Sequence, residues 1–161
     1  FNLFPHLTVL DNVILAPRQV RRMAKAEAEE LGREMLTRVK IPEQAAKFPG
    51  QLSGGQQQRL FIALALLNDP EMVFLDELTT GLDPQARRAT WDAVRAIRQQ
   101  GKTVILVTHF MEEAEELADH LLIIDGGKVV AHDTPQALIQ NLQAGSRVRF
   151  TSQNGFDSAG F

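Results

Sequence analysis

Three short apolar runs, separated by helix-forming stretches, constrain the fold more than any other feature of the sequence. The runs cover residues 72–75, 103–107 and 121–124, and each has the length and composition of a buried strand. Helical patterns precede or separate them. Strands that alternate with helices in this way predict an α/β fold with a mostly parallel sheet.

The first fifty residues carry helical patterns and no strand pattern, so they predict a helical subdomain attached to that sheet. Thr8 and Asp11 have the spacing of a capping box, which predicts a helix that runs to Ala16 and ends at Pro17. A second helix is expected over residues 24–39. A loop follows, and Ser53 then caps a third helix.

The rear part of the chain predicts further helices and one hairpin. Helices are expected over residues 85–100 and 111–118, between the strands. Asp125-Gly-Gly127 predicts a hairpin turn into a strand over residues 128–131, and a last helix then begins at Pro135. The acidic residues of the 111–118 helix (Glu112, Glu113, Glu115 and Glu116) are expected to form a solvated face rather than a metal site.

Composition narrows the class of protein. The 161 residues suit one domain, and the net charge of −3 argues against a nucleic-acid partner. The absence of cysteine excludes disulfides and thiolate metal sites. The longest apolar run, residues 60–67, is shorter than the roughly 20 residues that span a bilayer. The chain has no signal-peptide pattern and opens in the middle of a motif without a methionine, so we expect a fragment.

The segment Leu52-Ser53-Gly54-Gly55-Gln56 predicts a binding site for an anion. A capping serine and two glycines at a helix start direct backbone N–H groups towards one point, at the positive end of the helix. Glycine also lets phosphate oxygens approach the backbone closely. Taken alone, such a segment is more often an ordinary helix cap than a ligand site.

Further polar residues follow the strands at their carboxyl ends, where α/β folds place their ligands. Asp76 suits a Mg²⁺ ion, which takes oxygen ligands and keeps much of its water, and Glu77 suits the polarisation of an attacking water. His109 follows the second strand and could bind a terminal phosphate, and Asp83 lies in the turn over residues 79–84. Each residue alone would fit a structural or solvated role, but together they indicate one phosphate site.

In this order and spacing the elements resemble the ATP-binding-cassette (ABC) family over residues 1–142. Residues 52–56 resemble its signature, residues 73–77 its Walker B strand and residues 81–84 its D-loop, while His109 resembles its switch histidine. Residues 1–8 resemble the stretch after its glutamine loop. The resemblance implies a P-loop NTPase-type cassette with an attached helical subdomain.

The resemblance also implies a mechanism with ATP and Mg²⁺ as cofactors. Two such subunits would pair head to tail around two ATP molecules, with the signature of each subunit on the nucleotide held by its partner. The implied site residues are Glu77 and His109 for catalysis, Asp76 for the metal, and Ser53, Gly54, Gly55, Gln56 and Asp83 for the nucleotide and the dimer interface.

The resemblance further implies membrane partners and a location. The helical subdomain would contact transmembrane permease subunits, which places the chain in the cytoplasm, peripheral on the inner face of the cell membrane. The implied division is residues 1–52 as the helical subdomain and residues 53–142 as the signature helix and the rear catalytic core. Residues 143–161 are expected to be a partly disordered extension in which residues 147–151 begin a further strand.

The sequence departs from the family in one important respect, because the phosphate loop G-x-x-x-x-G-K-[ST] is absent. Gly101-Lys102-Thr103 resembles its last residues, but Ala96 stands where the first glycine belongs, and the segment leaves a helix and enters a strand. We therefore expect these 161 residues alone to hydrolyse ATP negligibly. Leu78 replaces the usual proline, from which we expect a modest loosening of the turn.

The two halves of the chain resemble different branches of the family. Residues 1–58 resemble polar amino-acid uptake subunits, and the residues from Leu60 onward resemble drug or multidrug export subunits. The transported substrate and the direction of transport therefore stay open. Two other functions remain as alternatives: a non-transport cassette ATPase, and a non-catalytic interaction or regulatory fragment.

Overall fold

A computed structural model describes residues 3–141, and the proposed extension over residues 143–161 lies outside this range. The chain forms two compact units, which divide between Ala118 and Asp119. The elements of the first unit are α1 (Val9–Gln19), α2 (Lys25–Arg38), α3 (Gly54–Leu66), β1 (Met72–Asp76), α4 (Pro84–Gln99), β2 (Thr103–Val107) and α5 (Met111–Leu117). Those of the second unit are β3 (Leu121–Asp125), β4 (Lys128–Asp133) and α6 (Pro135–Asn141).

The two strands of the first unit lie side by side and parallel, with Met72 opposite Thr103 and Asp76 opposite Val107. Helix α4 connects them, so they form the βαβ unit that the alternation of strands and helices predicts. Because the strands are parallel and in register, the residues that follow β1 and β2 meet at one edge. The α/β class is therefore confirmed.

Strand β1 is covered on one face only. Val73 and Leu75 point into the core and are 3% and 6% exposed, whereas Met72 and Phe74 are 46% and 69% exposed. The prediction of a fully buried strand is therefore wrong for β1, and it is also wrong for β2 and β3, none of whose residues is buried. A run of apolar side chains is compatible with burial on both faces of a strand. Each face is buried, however, only if another element packs against it.

The first helix is longer than predicted. The Thr8 side chain accepts a hydrogen bond from the Asp11 N–H, as the capping-box spacing predicts, but α1 continues past Pro17 to Gln19. Proline removes one N–H donor, and its neighbours restore the ladder: Val20 N–H donates to the Ala16 carbonyl at 2.9 Å. Pro17 is buried within the last turn rather than ending the helix.

Helices α1 and α2 cross in close contact at Gly32. A β-carbon at this position would lie 2.7 Å from Ile14 Cγ2 and 2.8 Å from Leu10 Cδ1. Both distances are shorter than β-carbon contacts in proteins, so a larger residue at position 32 would require the Ile14 and Leu10 side chains to shift. The two helices pack on the same core as α3, α4 and β1.

The chain between α2 and α3 contains two short 3₁₀ turns, Pro42–Gln44 and Pro49–Gln51, in the segment predicted as a loop. Helix α3 then begins after Ser53, as predicted, and buries Leu60, Ile62 and Ala63 completely. Full burial of a leucine or isoleucine side chain contributes about 1.5–3 kcal/mol, so this face of α3 is a principal anchor of the first unit.

The second unit consists of an antiparallel hairpin and a helix. Strands β3 and β4 pair around a turn in which Gly126 and Gly127 have φ values of 52° and 75°. Positive φ is easily reached only by glycine, which explains why the predicted Gly-Gly turn forms here. In residues 3–141 the structure contains no helix that is both long and apolar enough to cross a membrane.

Candidate functional site

The residue after β1, Glu77, is held in an uncommon backbone conformation at the carboxyl edge of the parallel strands. Its φ is 45°, in the left-handed region that residues other than glycine rarely adopt. Its N–H donates to the Val107 carbonyl at 2.9 Å, and its own carbonyl accepts from Thr80 N–H at 3.2 Å. Backbone strain of this kind persists where the surroundings enforce it, and it is enriched at functional sites.

The side chains of Glu77 and His109 meet at this edge. Glu77 Oε1 lies 3.3 Å from His109 Nδ1, and both side chains are 56% exposed. A carboxylate and an imidazole in contact, and open to solvent, can share a water molecule or an oxygen of a bound ligand. The structure thus brings together the two residues that the sequence assigned to catalysis.

Asp76 is the last residue of β1 and is exposed at the same edge. Within residues 3–141 no group of three or more His, Asp or Glu side chains is arranged to hold a metal ion. A single exposed carboxylate fits Mg²⁺, which is commonly bound by one or two carboxylates with water and substrate phosphates as its other ligands. It does not fit a metal held by protein ligands alone.

Ser53 and Gln56 close the start of α3 with reciprocal hydrogen bonds. Ser53 Oγ accepts from Gln56 N–H at 3.3 Å, and Gln56 Oε1 accepts from Ser53 N–H at 2.9 Å. The N–H groups of Gly54 and Gly55 have no acceptor within the helix, because they belong to its first turn. Ser53 and Gly54 are exposed, so the positive end of a 13-residue helix faces solvent and suits an anion.

The two glycines also let α3 approach the start of α4. A β-carbon on Gly54 would lie 3.3 Å from Leu82 Cδ2, and one on Gly55 would lie 2.8 Å from the Ala86 β-carbon. The start of α3 therefore rests directly on the turn that carries Asp83. Sequence reasoning gave the glycines a phosphate-binding role and missed this second role in packing.

Asp83 is the N-cap of α4. Its Oδ1 accepts hydrogen bonds from Gln85 N–H and Ala86 N–H, both at 2.9 Å, and the residue is exposed. The carboxylate is thus held in place by the helix that it caps.

Replacing Asp83 separates capping from any role at an interface. We expect Asp83→Ala to lower the free energy of unfolding by about 0.5–2 kcal/mol, because the first turn of α4 loses its acceptor. Asp83→Asn keeps the acceptor oxygen and should retain most of that free energy. Urea denaturation of both variants checks this, and an equal loss in the two would show that capping is not the stabilising role.

The candidate residues form two groups. Asp76, Glu77 and His109 lie at the strand edge, while Ser53 to Gln56 pack beside the Asp83 turn. In the described part of the chain no hydrogen bond or ion pair joins the side chains of one group to those of the other. One chain therefore presents two separate polar surfaces rather than a single closed site.

The acidic run of α5 is not a uniform solvated face, so that prediction is wrong for Glu113. This side chain is 0% exposed, and its Oε1 accepts from Thr79 Oγ1–H at 2.9 Å and from Trp91 Nε1–H at 2.8 Å. It lies one helical turn before Leu117, so both side chains face the core. The signal in the sequence was Trp91, whose N–H needs an acceptor once buried.

Lys102 does not belong to the site. Its ammonium donates to Asp69 Oδ1 at 2.7 Å and to the Pro70 carbonyl at 2.9 Å, before the start of β1. The Lys102 ammonium also lowers the pKa of Asp69 below its usual value. This lysine ties the start of β1 to that of β2, which agrees with our rejection of Gly101-Lys102-Thr103 as a phosphate loop.

The first half of the chain is similar to a known protein family. Residues 1–80 match the family model described as ABC transporter. The chain belongs to the ABC transporter family.

Individual relatives come from more than one kind of transporter. The general L-amino acid transport ATP-binding protein AapP of Rhizobium johnstonii is 46% identical over 153 residues, which cover 95% of this chain and 60% of that protein. The Nod factor export ATP-binding protein I of Burkholderia lata is 44% identical over 140 residues, which cover 87% of this chain and 46% of that protein. The chain thus spans about 60% or less of the length of these curated relatives.

A solved structure supports the fold. A dimeric ATP-binding cassette in a post-hydrolysis state, bound to ADP and Pi, superposes with a TM-score of 0.71 at 33% sequence identity. The superposition covers 83% of this chain and 59% of that one. The expectation of a cassette fold is therefore confirmed.

Proposed function

We propose that this chain is the rear part of an ATP-hydrolysing subunit of an ABC transporter. The observation that carries the proposal is the Glu77–His109 contact at the carboxyl edge of β1 and β2. That edge is where α/β folds bind their ligands, and the two side chains are exposed there. Two kinds of relatives, amino-acid transport and Nod factor export ATP-binding proteins, support the assignment to ATP-binding subunits of transporters.

Glu77 would polarise the water that attacks the terminal phosphate, and His109 would donate a hydrogen bond to a terminal phosphate oxygen. Positioned acid–base groups of this kind contribute roughly 10²–10⁴ in rate. Asp76 would hold Mg²⁺ directly or through water, and a bound Mg²⁺ supplies charge neutralisation for the phosphates.

The signature would act on a nucleotide held by a second subunit. Ser53 and Gly54 are exposed at the positive end of α3, while Gln56 is half-buried and Gly55 is buried beside Ala86. No hydrogen bond or ion pair among the described residues links this helix start to the Glu77 group. A head-to-tail pair would supply the missing partner surface, and Asp83 lies at the turn beside it. The dimeric state of the solved cassette supports this arrangement.

The helical subdomain would contact transmembrane permease subunits. A groove of about 330 Å³ on this lobe is lined by both apolar and charged side chains, among them Leu15, Arg18 and Met23. Residues 1–52 would then be the coupling lobe and residues 53–142 the catalytic core, peripheral on the cytoplasmic membrane face. The amino-acid transport relatives favour transport of an amino acid. The Nod factor export relatives make export of another solute the second candidate.

Magnesium-dependent ATP hydrolysis tests the proposal. The 161-residue chain is compared with an extended chain, in which a phosphate-loop segment from an amino-acid transport relative precedes residue 1. We expect turnover by the extended chain only, because the phosphate loop supplies backbone N–H groups and a lysine for the phosphates. Hydrolysis by neither chain would favour a non-catalytic interaction fragment, and turnover by the 161 residues alone would overturn our expectation for the fragment.

A further inference from the structure

Glu113 is fully buried, and the proposed function gives it no role. Its Oε1 accepts hydrogen bonds from Thr79 and Trp91, while its Oε2 has no hydrogen-bond partner within residues 3–141. Burying a carboxyl group is costly unless its hydrogen bonds compensate. Because only one of its two carboxyl oxygens is hydrogen-bonded, Glu113 is less favourable in the core than an apolar residue of similar size would be. Its hydrogen bonds to Thr79 and Trp91 therefore call for a functional explanation.

Glu113 and its two partners lie on the three segments that carry the candidate site. Thr79 follows Glu77 by two residues, in the turn after β1. Glu113 follows His109 by four residues, in the first turn of α5. Trp91 lies two turns into α4, the helix that Asp83 caps. One oxygen atom therefore holds together the Glu77 turn, the His109 segment and the Asp83 helix.

A second contact ties α4 to the His109 segment. The Arg87 guanidinium lies 4.7 Å from the centre of the Phe110 ring, and its Nη1 is 3.6 Å from Glu112 Oε2. The Phe110 ring in turn lies 4.2 Å from the His109 imidazole. Because Arg87 and Trp91 are four residues apart, they share one face of α4 and reach α5 together.

We propose that Glu113 is a positioning residue that sets Glu77 and His109 relative to each other and to the Asp83 turn. This inference rests on the proposed function and deepens it. Thr79 and Trp91 are fixed by the same acceptor, so a displacement of α4 at Asp83 moves the Glu77 turn and the His109 segment as one. Geometry at a reacting centre is sensitive, since a misplacement of about 1 Å can cost roughly 10²-fold in rate.

Magnetic resonance of the 161-residue chain tests the link without any hydrolysis. The chain has one tryptophan, so Trp91 gives one indole N–H signal, and His109→Gln identifies the imidazole C–H signal of His109. We expect Glu113→Met to move both signals, because a thioether does not replace the acceptor. Glu113→Gln keeps an oxygen at Oε1 and should leave both near their original positions. A His109 signal that stays unmoved in a folded Glu113→Met chain would overturn the proposal.

Thr79→Val is the second test variant, for use if Glu113→Met does not fold. It removes one of the two hydrogen bonds to Glu113 and keeps the shape of the side chain. We expect it to move the His109 signal. The matched control is Thr90→Val, because Thr90 is also 0% exposed and its hydroxyl donates only within α4, to the Ala86 carbonyl. Equal shifts of the His109 signal in the two variants would show general core disturbance and would overturn the link.

Steady-state kinetics of the extended chain give a second test, because a loss of stability alone does not lower kcat at an unchanged KM. We expect Glu113→Met to lower kcat about 10-fold to 100-fold with KM for ATP unchanged. Glu113→Gln, in contrast, should keep the kcat of the unsubstituted extended chain. The double variant Thr79→Val/Glu113→Met should have the same kcat as Glu113→Met alone. Additive losses of kcat would contradict a shared role. If the unsubstituted extended chain shows no hydrolysis, the proposed function fails, and the resonance experiment still decides the link.

Discussion

Glu77→Gln in the extended chain is expected to lower kcat for ATP hydrolysis by about 10²–10⁴ while leaving KM for ATP nearly unchanged. The amide keeps the size of the side chain and one acceptor oxygen, but it cannot take a proton from an attacking water. The side chain is 56% exposed, so its contact with His109 contributes little to folding, and the variant should retain its thermal midpoint. Steady-state kinetics with a parallel melting curve checks both statements.

Glu71→Gln is the matched control for this experiment. Glu71 is exposed and directly precedes the same strand, β1, but it lies at the opposite end from the candidate site. We expect its turnover to equal that of the unsubstituted chain. A similar loss in both variants would mean that charge on the strand, rather than chemistry at its carboxyl edge, controls the rate.

Gly55→Ala should lower the free energy of unfolding by about 1–3 kcal/mol. The new β-carbon would lie 2.8 Å from the Ala86 β-carbon and 3.5 Å from the Ala86 α-carbon, and neither atom can rotate away. Relief requires α3 and α4 to separate, which moves the Ser53 cap away from the Asp83 turn. We therefore expect hydrolysis by the extended chain to fall as well. Urea denaturation gives the first effect, and steady-state turnover gives the second.

Gly50→Ala is the natural control, because nothing lies within 4 Å of a β-carbon at that position and its φ is not positive. It should leave the free energy of unfolding unchanged or raise it slightly. Combining Gly55→Ala with Ala86→Gly removes the opposing methyl group, so the pair should cost less than the sum of the single changes. A strictly additive double variant would show that the contact between these two atoms is not the cause.

The elements that could be predicted from the sequence are those with local causes. Ser53 caps α3 because its hydroxyl reaches the N–H three residues on, and the turn at Gly126 forms because glycine accepts positive φ. The placement of Glu77 and His109 at one edge followed from a general property of parallel strands.

The elements that escaped prediction depend on neighbours distant in the chain. Glu113 is buried because Thr79 and Trp91 reach it from 34 and 22 residues away, and nothing in the acidic run itself marks it. Helix α1 continues past Pro17 because the last turn keeps its other hydrogen bonds. The open face of β1 likewise reflects which elements surround it, which a run of apolar residues does not encode.

The close crossing at Gly32 bears on how α1 and α2 would move in the proposed subunit. The two helices lie so close here that a β-carbon on residue 32 would come within 2.7 Å of Ile14 Cγ2 and 2.8 Å of Leu10 Cδ1. Because closely packed side chains transmit displacement, a shift of one helix would carry the other with it. We therefore expect α1 and α2 to move as one body.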